Sequence, residues 1–176
     1  MEIKSISNEI RKENFEGKNF YDELIKLRDQ DRERRKDAVS LVRGKEIPWE
    51  VNKQGIMRWY LHPSINDTVL KSMLVFVQEI PPGSRTGKIK YQGGQVIYIM
   101  KGHGYSVLDG IKHYWQAGDV VQLPLRPPGV IYQHFNEDPN EIVRFIACEA
   151  NVVDALSVDR GSGFEQLEEC PEYKKR

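Results

Sequence analysis

Apolar and polar positions along the chain follow two different periods. Between Asn19 and Arg43 the residues Phe20, Leu24 and Leu27 recur at the spacing of one helical face, which predicts a helix. Asn19 can cap its start, with Asp22 three positions later, and Gly44 supplies a stop. The middle of this helix, Arg28 to Asp37, carries five basic and four acidic residues of alternating sign. That pattern is expected of a solvated face with i,i+4 pairs rather than of a nucleic-acid contact.

From about Met57 the period shortens. Val69 to Ile80 reads as a strand that Pro81-Pro82-Gly83 breaks, and Gln95 to Met100 reads as another, closed by Lys101-Gly102-His103-Gly104. Tyr105 to Leu108 and Lys112 to Gln116 flank Asp109-Gly110, a two-residue hairpin signal. Asp119 to Leu123, Val130 to Phe135 and Val143 to Glu149 follow as further strands. Many short strands with Gly and Pro punctuation predict an all-β sandwich or barrel. The organisation expected is a helical extension over residues 1–50, a barrel over 51–158 and a C-terminal tail over 159–176. The tail is charged and poor in apolar residues, so it is expected to lie on the surface or to be mobile.

Composition narrows the class of partner. Lys plus Arg and Asp plus Glu both number 26 in a chain of 176 residues, for a formal net charge of zero. An extended nucleic-acid footprint needs a surplus of positive charge, so none is expected. Cys148 and Cys170 form no metal-type or redox-type pair, and are expected to be free thiols in a reducing compartment. Met1-Glu2-Ile3-Lys4 has no apolar run behind its charges, and no segment reaches the roughly 18 apolar residues of a membrane span. A soluble cytoplasmic protein, without membrane or nucleic-acid partner, is the expectation.

Two spacing motifs carry a family resemblance. Gly83 is followed by five residues, then by Ile89, Tyr91, Gln95 and Gly102 at the spacing of Gly, His, His, Glu and Gly in the first cupin motif. Gly118 to Pro124 fits the opening of the second motif, and Gly129, Tyr132 and Asn136 fit its end, with Tyr132 in the His position. The stretch Leu125 to Pro128 is longer than that pattern by three residues. The chain therefore resembles the cupin superfamily over Pro81 to Asn136. The runs Gln92 to Tyr98 and Gln133 to Asn136 also resemble single-domain relatives of aromatic-ring dioxygenases. The resemblance implies an all-β cupin double-stranded β-helix (jelly-roll) barrel with an N-terminal helical extension, and it implies a homodimer.

Members of that superfamily typically hold iron, manganese, nickel or zinc with three His and one Glu. Here the four positions are Ile89, Tyr91, Gln95 and Tyr132. Ile has no donor atom, phenols with a pKa near 10 are poor ligands at neutral pH, and Gln lacks the charge of Glu. No metal and no other cofactor is expected. His134 lies two residues after Tyr132 and faces the same way on a regular strand. Tyr91, Gln95, Tyr132 and His134 are thus the expected ligand-binding set, with His134, Tyr132 and Tyr91 as catalytic candidates. Three functions follow. The first is metal-free binding of a small aromatic or carboxylated molecule. The second is catalysis, either dioxygenase-like with a relocated metal or a metal-free isomerase or epimerase using His134 and a Tyr. The third is a structural or partner subunit with a filled barrel. Three smaller features are weighed beside these. Gln92-Gly93-Gly94 is either an anion cradle or a turn, and Leu125 to Pro128 is either a lid or a dimer contact. Arg85, Lys88 and Lys90 either attract a carboxylate or protect strand edges.

Overall fold

Asn19 turns the chain into its first helix as its side chain predicts. Its Oδ1 accepts from the backbone N–H groups of Tyr21 and Asp22 at 3.1 and 3.3 Å. The helix spans Phe20–Lys36 and ends earlier than Arg43, because the basic residues Arg34, Arg35 and Lys36 complete its last turn and Asp37 turns back on Arg35. Gly44 instead opens a short 3-10 turn, Gly44–Glu46. Lys26–Glu23 and Arg34–Asp31, at 2.8 and 2.9 Å, place the helix's ion pairs three residues apart rather than four. Exposed pairs of this kind stabilise little.

The computed structural model describes residues 13–65, 67, 68, 70, 72–151 and 165–175. Met1 to Lys4, Val69 at the start of one expected strand, and the 158/159 boundary fall outside them. The chain divides into two units, Met1–Val39 and Ser40–Arg176. No helix among the described residues is long and apolar enough to cross a membrane.

The second unit is built from two antiparallel sheets. One has the order β1 (Glu50–Val51), β2 (Ile56–Leu61), β3 (Met73–Ile80), β10 (Val143–Ala150), β5 (Gln95–Lys101), β8 (Val120–Leu123). The other has the order β11 (Glu165–Glu168), β4 (Lys88–Tyr91), β9 (Val130–Asn136), β6 (His103–Leu108), β7 (Ile111–Gln116). From β3 onward the chain crosses repeatedly between the sheets, the β6–β7 hairpin excepted, and the expected jelly-roll connectivity results. Alternate residues face inward: Val143, Phe145 and Ala147 on β10, and Ile97 and Ile99 on β5, are at most 1 % exposed. With Met57, Phe76, Ile80 and Trp115 they form the main core, and Ile89, Leu123 and Tyr132 form a second cluster. The Asp109-Gly110 hairpin joins β6 to β7 with φ of +49° and +86°, the backbone that an Asp-Gly turn tolerates and a branched residue resists.

The tail departs from expectation. Glu165–Glu168 is a strand, paired antiparallel with β4, and Lys88 and Lys90 reach across to Glu168 and Glu165. After it Cys170 is fully buried, donating its Sγ proton to the Asn52 carbonyl at 3.3 Å. Low hydrophobicity misled here because an edge strand is held by its ladder and by cross-strand charge pairs, neither of which needs an apolar face. Gly87 permits this approach: a Cβ there would lie 2.4 Å from the Lys53 carbonyl and 2.5 Å from Gln166 Nε2.

Candidate functional site in the barrel interior

Between the sheets lies a cavity of about 340 Å³. Its apolar walls come from Met57 and Trp59 on β2, Phe76 on β3, Ile89 on β4 and Phe145 on β10. Its polar lining includes Gln78, Gln95, Tyr132, His134 and Glu149. Asn52, Lys53 and Gln54, from the turn between β1 and β2, and Gln166 of β11 form the rim. Gln54 Nε2 donates to Gln166 Oε1 at 3.0 Å, while Gln78 Nε2 donates to the Gln54 carbonyl at 2.9 Å. The barrel is therefore not filled by the bulky residues at the motif positions.

Gln95, Tyr132 and His134 meet in this cavity as their strand positions predict. Tyr91 does not line it; it packs on the adjoining cluster of Ile89, Leu123 and Tyr132. Gln95 and Glu149 face each other across the β5–β10 pairing, and Gln95 Nε2 donates to Glu149 Oε2 at 2.8 Å. Glu149 was missed by the sequence reading. The signal was present, since Glu149 continues the inward series of Phe145 and Ala147 on β10.

His134 is fixed from behind. Its Nδ1 lies 2.7 Å from Ser106 Oγ, and Trp115 Nε1 donates to the same Oγ at 2.8 Å. Ser106 is fully buried and Nδ1 is the one described acceptor for its hydroxyl proton, an arrangement that puts the His134 proton on Nε2. Its backbone N–H is also held, by Thr86 Oγ1 at 3.0 Å. The ring stands edge-on to Phe145 at 5.4 Å and tilted to Tyr132 at 5.3 Å.

Electrostatics keep most of this lining neutral. Burial depresses the His134 imidazole to about 4, so it carries no charge at neutral pH. Burial raises the Tyr132 phenol far above its ordinary range; Glu149 and Tyr91 add to this, and a hydrogen bond with Gln95 opposes it. Tyr91 is pushed up to about 12 by burial and by Glu149. Burial also raises the Glu149 carboxyl, against the hydrogen bond from Gln95.

The residues present do not fit the superfamily's metal. Ile89 offers no donor, Tyr132 is held protonated, Gln95 brings no charge, and His134 is the one histidine in the described lining. Glu149 is the one carboxylate among the described lining residues. No group of three or more His, Cys, Asp or Glu able to hold a metal occurs among the described residues. The other histidines lie elsewhere. His62 Nδ1 contacts Ser64 Oγ at 2.7 Å, His103 lies 3.9 Å from Asp138, and His113 is exposed on β7.

The smaller features also find places. Gln92-Gly93-Gly94 links β4 to β5, and its Gly94 amide donates to the Leu123 carbonyl at 2.9 Å. Lys88 and Lys90 are occupied by β11 carboxylates. In the longer loop, Arg126 donates to Asp109 at 2.9 Å and its backbone N–H donates to the Gln92 carbonyl at 2.9 Å.

No protein-family model and no curated protein sequence matches the chain. Solved structures do match its fold. A polyketide cyclase from Streptomyces resistomycificus superposes with a TM-score of 0.54 at 15 % identity, over 64 % of this chain and 79 % of that one. A cupin 2 conserved barrel domain protein from Salinispora arenicola gives 0.53 at 21 % identity, over 68 % of this chain and 97 % of that one. Salicylate 1,2-dioxygenase from Pseudoaminobacter salicylatoxidans, in a structure of its adducts with gentisate, gives 0.52 at 19 % identity, over 68 % of this chain and 31 % of that one. These likenesses establish the fold, a cupin double-stranded β-helix.

Proposed function

We propose that this cupin-fold barrel binds a small aromatic molecule in its interior without a metal. The observation that carries the reading is the cavity of about 340 Å³, with Trp59, Phe76 and Phe145 as walls and a compact group of polar side chains. A volume of roughly 300 Å³ or more, mostly apolar with a few converging polar atoms, suits a small organic ligand. Of the two ligand classes that the sequence suggests, the aromatic one is favoured. A carboxylated ligand would meet Glu149, and Lys53 on the rim is already 3.4 Å from Glu169. Two of the fold's neighbours, a polyketide cyclase and a salicylate 1,2-dioxygenase, support an aromatic ligand.

The neutral imidazole of His134 would present its Nε2 proton to the ligand, and Tyr132 and Gln95 would add hydrogen bonds. Thermal-shift screening with small aromatics, neutral and cationic, tests the reading. A binder that prefers the folded state raises the melting temperature, by about 2.7 kcal/mol of stabilisation at a hundredfold excess over Kd. Ile89→Phe, which adds bulk to the cavity wall, should abolish the shift. No shift across a broad panel, or an undiminished shift in Ile89→Phe, would refute the proposal.

A further inference from the structure

The chemistry of the ligand's polar group can be read from the charge placed against it. Glu149 is the one carboxylate lining the cavity among the described residues, and its described side-chain partner is the neutral amide of Gln95. No described cation offsets it within the cavity: Lys53 stands on the rim beside Glu169, and His134 is a neutral donor to the cavity. A carboxylate removed from water, with the Gln95 amide and the protonated phenols of Tyr91 and Tyr132 as its described polar neighbours, meets no opposite charge among them and is poorly compensated. Around it stand aromatic faces. Trp59 and Phe76, in tilted contact at 5.0 Å, share one sheet with Phe145, while Tyr132 and His134 stand on the facing sheet. Aromatic rings attract an organic cation through their quadrupoles, and more strongly when water is excluded.

We infer that the ligand is a protonated amine with an aromatic or other apolar body, its ammonium group paired with Glu149 and its body lying against the wall of Trp59, Phe76 and Phe145. This rests on the binding function proposed above and names its ligand class. Both sides gain: the ammonium supplies the missing counter-charge, and the body covers apolar wall. An anion would meet uncompensated negative charge, and a neutral alcohol would gain only a hydrogen bond.

Three probes of similar shape and different charge separate the cases: 2-phenylethylamine, 2-phenylethanol and 3-phenylpropanoate, titrated calorimetrically into the full chain at neutral pH. The expected result is that the amine binds at least tenfold more tightly than the alcohol, with no binding of the acid. Glu149→Gln should then lose at least tenfold in affinity for the amine and keep its affinity for the alcohol. If the alcohol or the acid binds as well as the amine, the inference fails while the aromatic-binding reading stands. Unchanged amine affinity in a folded Glu149→Gln protein would likewise overturn it. Binding of none of the three would count against both. The ranking in the unaltered protein decides the matter even where the variant does not fold.

Discussion

Acidification from neutrality to about pH 4 tests how His134 is held. In the folded protein burial lowers its pKa to about 4, whereas an unfolded chain titrates near 6.5. Above pH 6.5 the imidazole is neutral in both states and contributes no pH dependence. As pH falls from there toward 4, the unfolded chain binds a proton that the folded one refuses. Stability therefore drops by about 1.4 kcal/mol per pH unit, to a total of roughly 3 kcal/mol. Glu149 acts in the opposite sense: its carboxyl pKa is raised on folding, so acid relieves its burial cost. Urea unfolding of the unaltered protein and of His134→Gln, across this range, isolates the imidazole because Glu149 and the surface carboxylates are common to both. The two stability curves should converge as pH falls, with the variant losing less. Curves that stay parallel from pH 6.5 to 4 would refute a buried, neutral His134.

Two further substitutions examine the support of the site. Ser106→Ala removes the hydroxyl shared by Trp115 Nε1 and His134 Nδ1, leaving two buried polar groups unpaired. A loss of about 2–4 kcal/mol is expected by chemical denaturation, with the Trp115 fluorescence altered. Gly87→Ala would place a methyl group 2.4 Å from the Lys53 carbonyl and 2.8 Å from the Glu168 carbonyl. The C-terminal strand should then detach, seen as faster proteolytic cleavage after Glu165, while the hairpin at Asp109-Gly110 keeps its protection.

The strands were legible because period-two alternation is a local property. The inward facing of Gln95, Tyr132 and His134 follows from it directly, as does the Asp109-Gly110 turn from its need for positive φ. What alternation did not convey was distance in space. Ser106 and Trp115 lie on β6 and β7 and meet His134 only through the β7–β6–β9 order of the sheet. Glu149 carries a charge that ordinarily faces solvent, yet its register on β10 directs it inward beside Gln95. Tyr91 shares the inward face of β4 with Ile89, yet it packs beside the cavity instead of in it. The strand Glu165–Glu168 left no hydrophobic trace, since what holds it is a ladder to β4 and lysines already assigned to another role.

The bond from Gln54 to Gln166 has a bearing on how molecules get in and out. A single contact between uncharged, partly hydrated amides is worth about 1 kcal/mol net, so it is broken in roughly one molecule in six at any instant. Traffic past that part of the rim needs neither unfolding nor a change of charge. Its rate should follow the fast swing of Gln54, since Gln166 Nε2 stays bound to the Glu168 carbonyl at 2.7 Å, and dissolved salt should leave it alone.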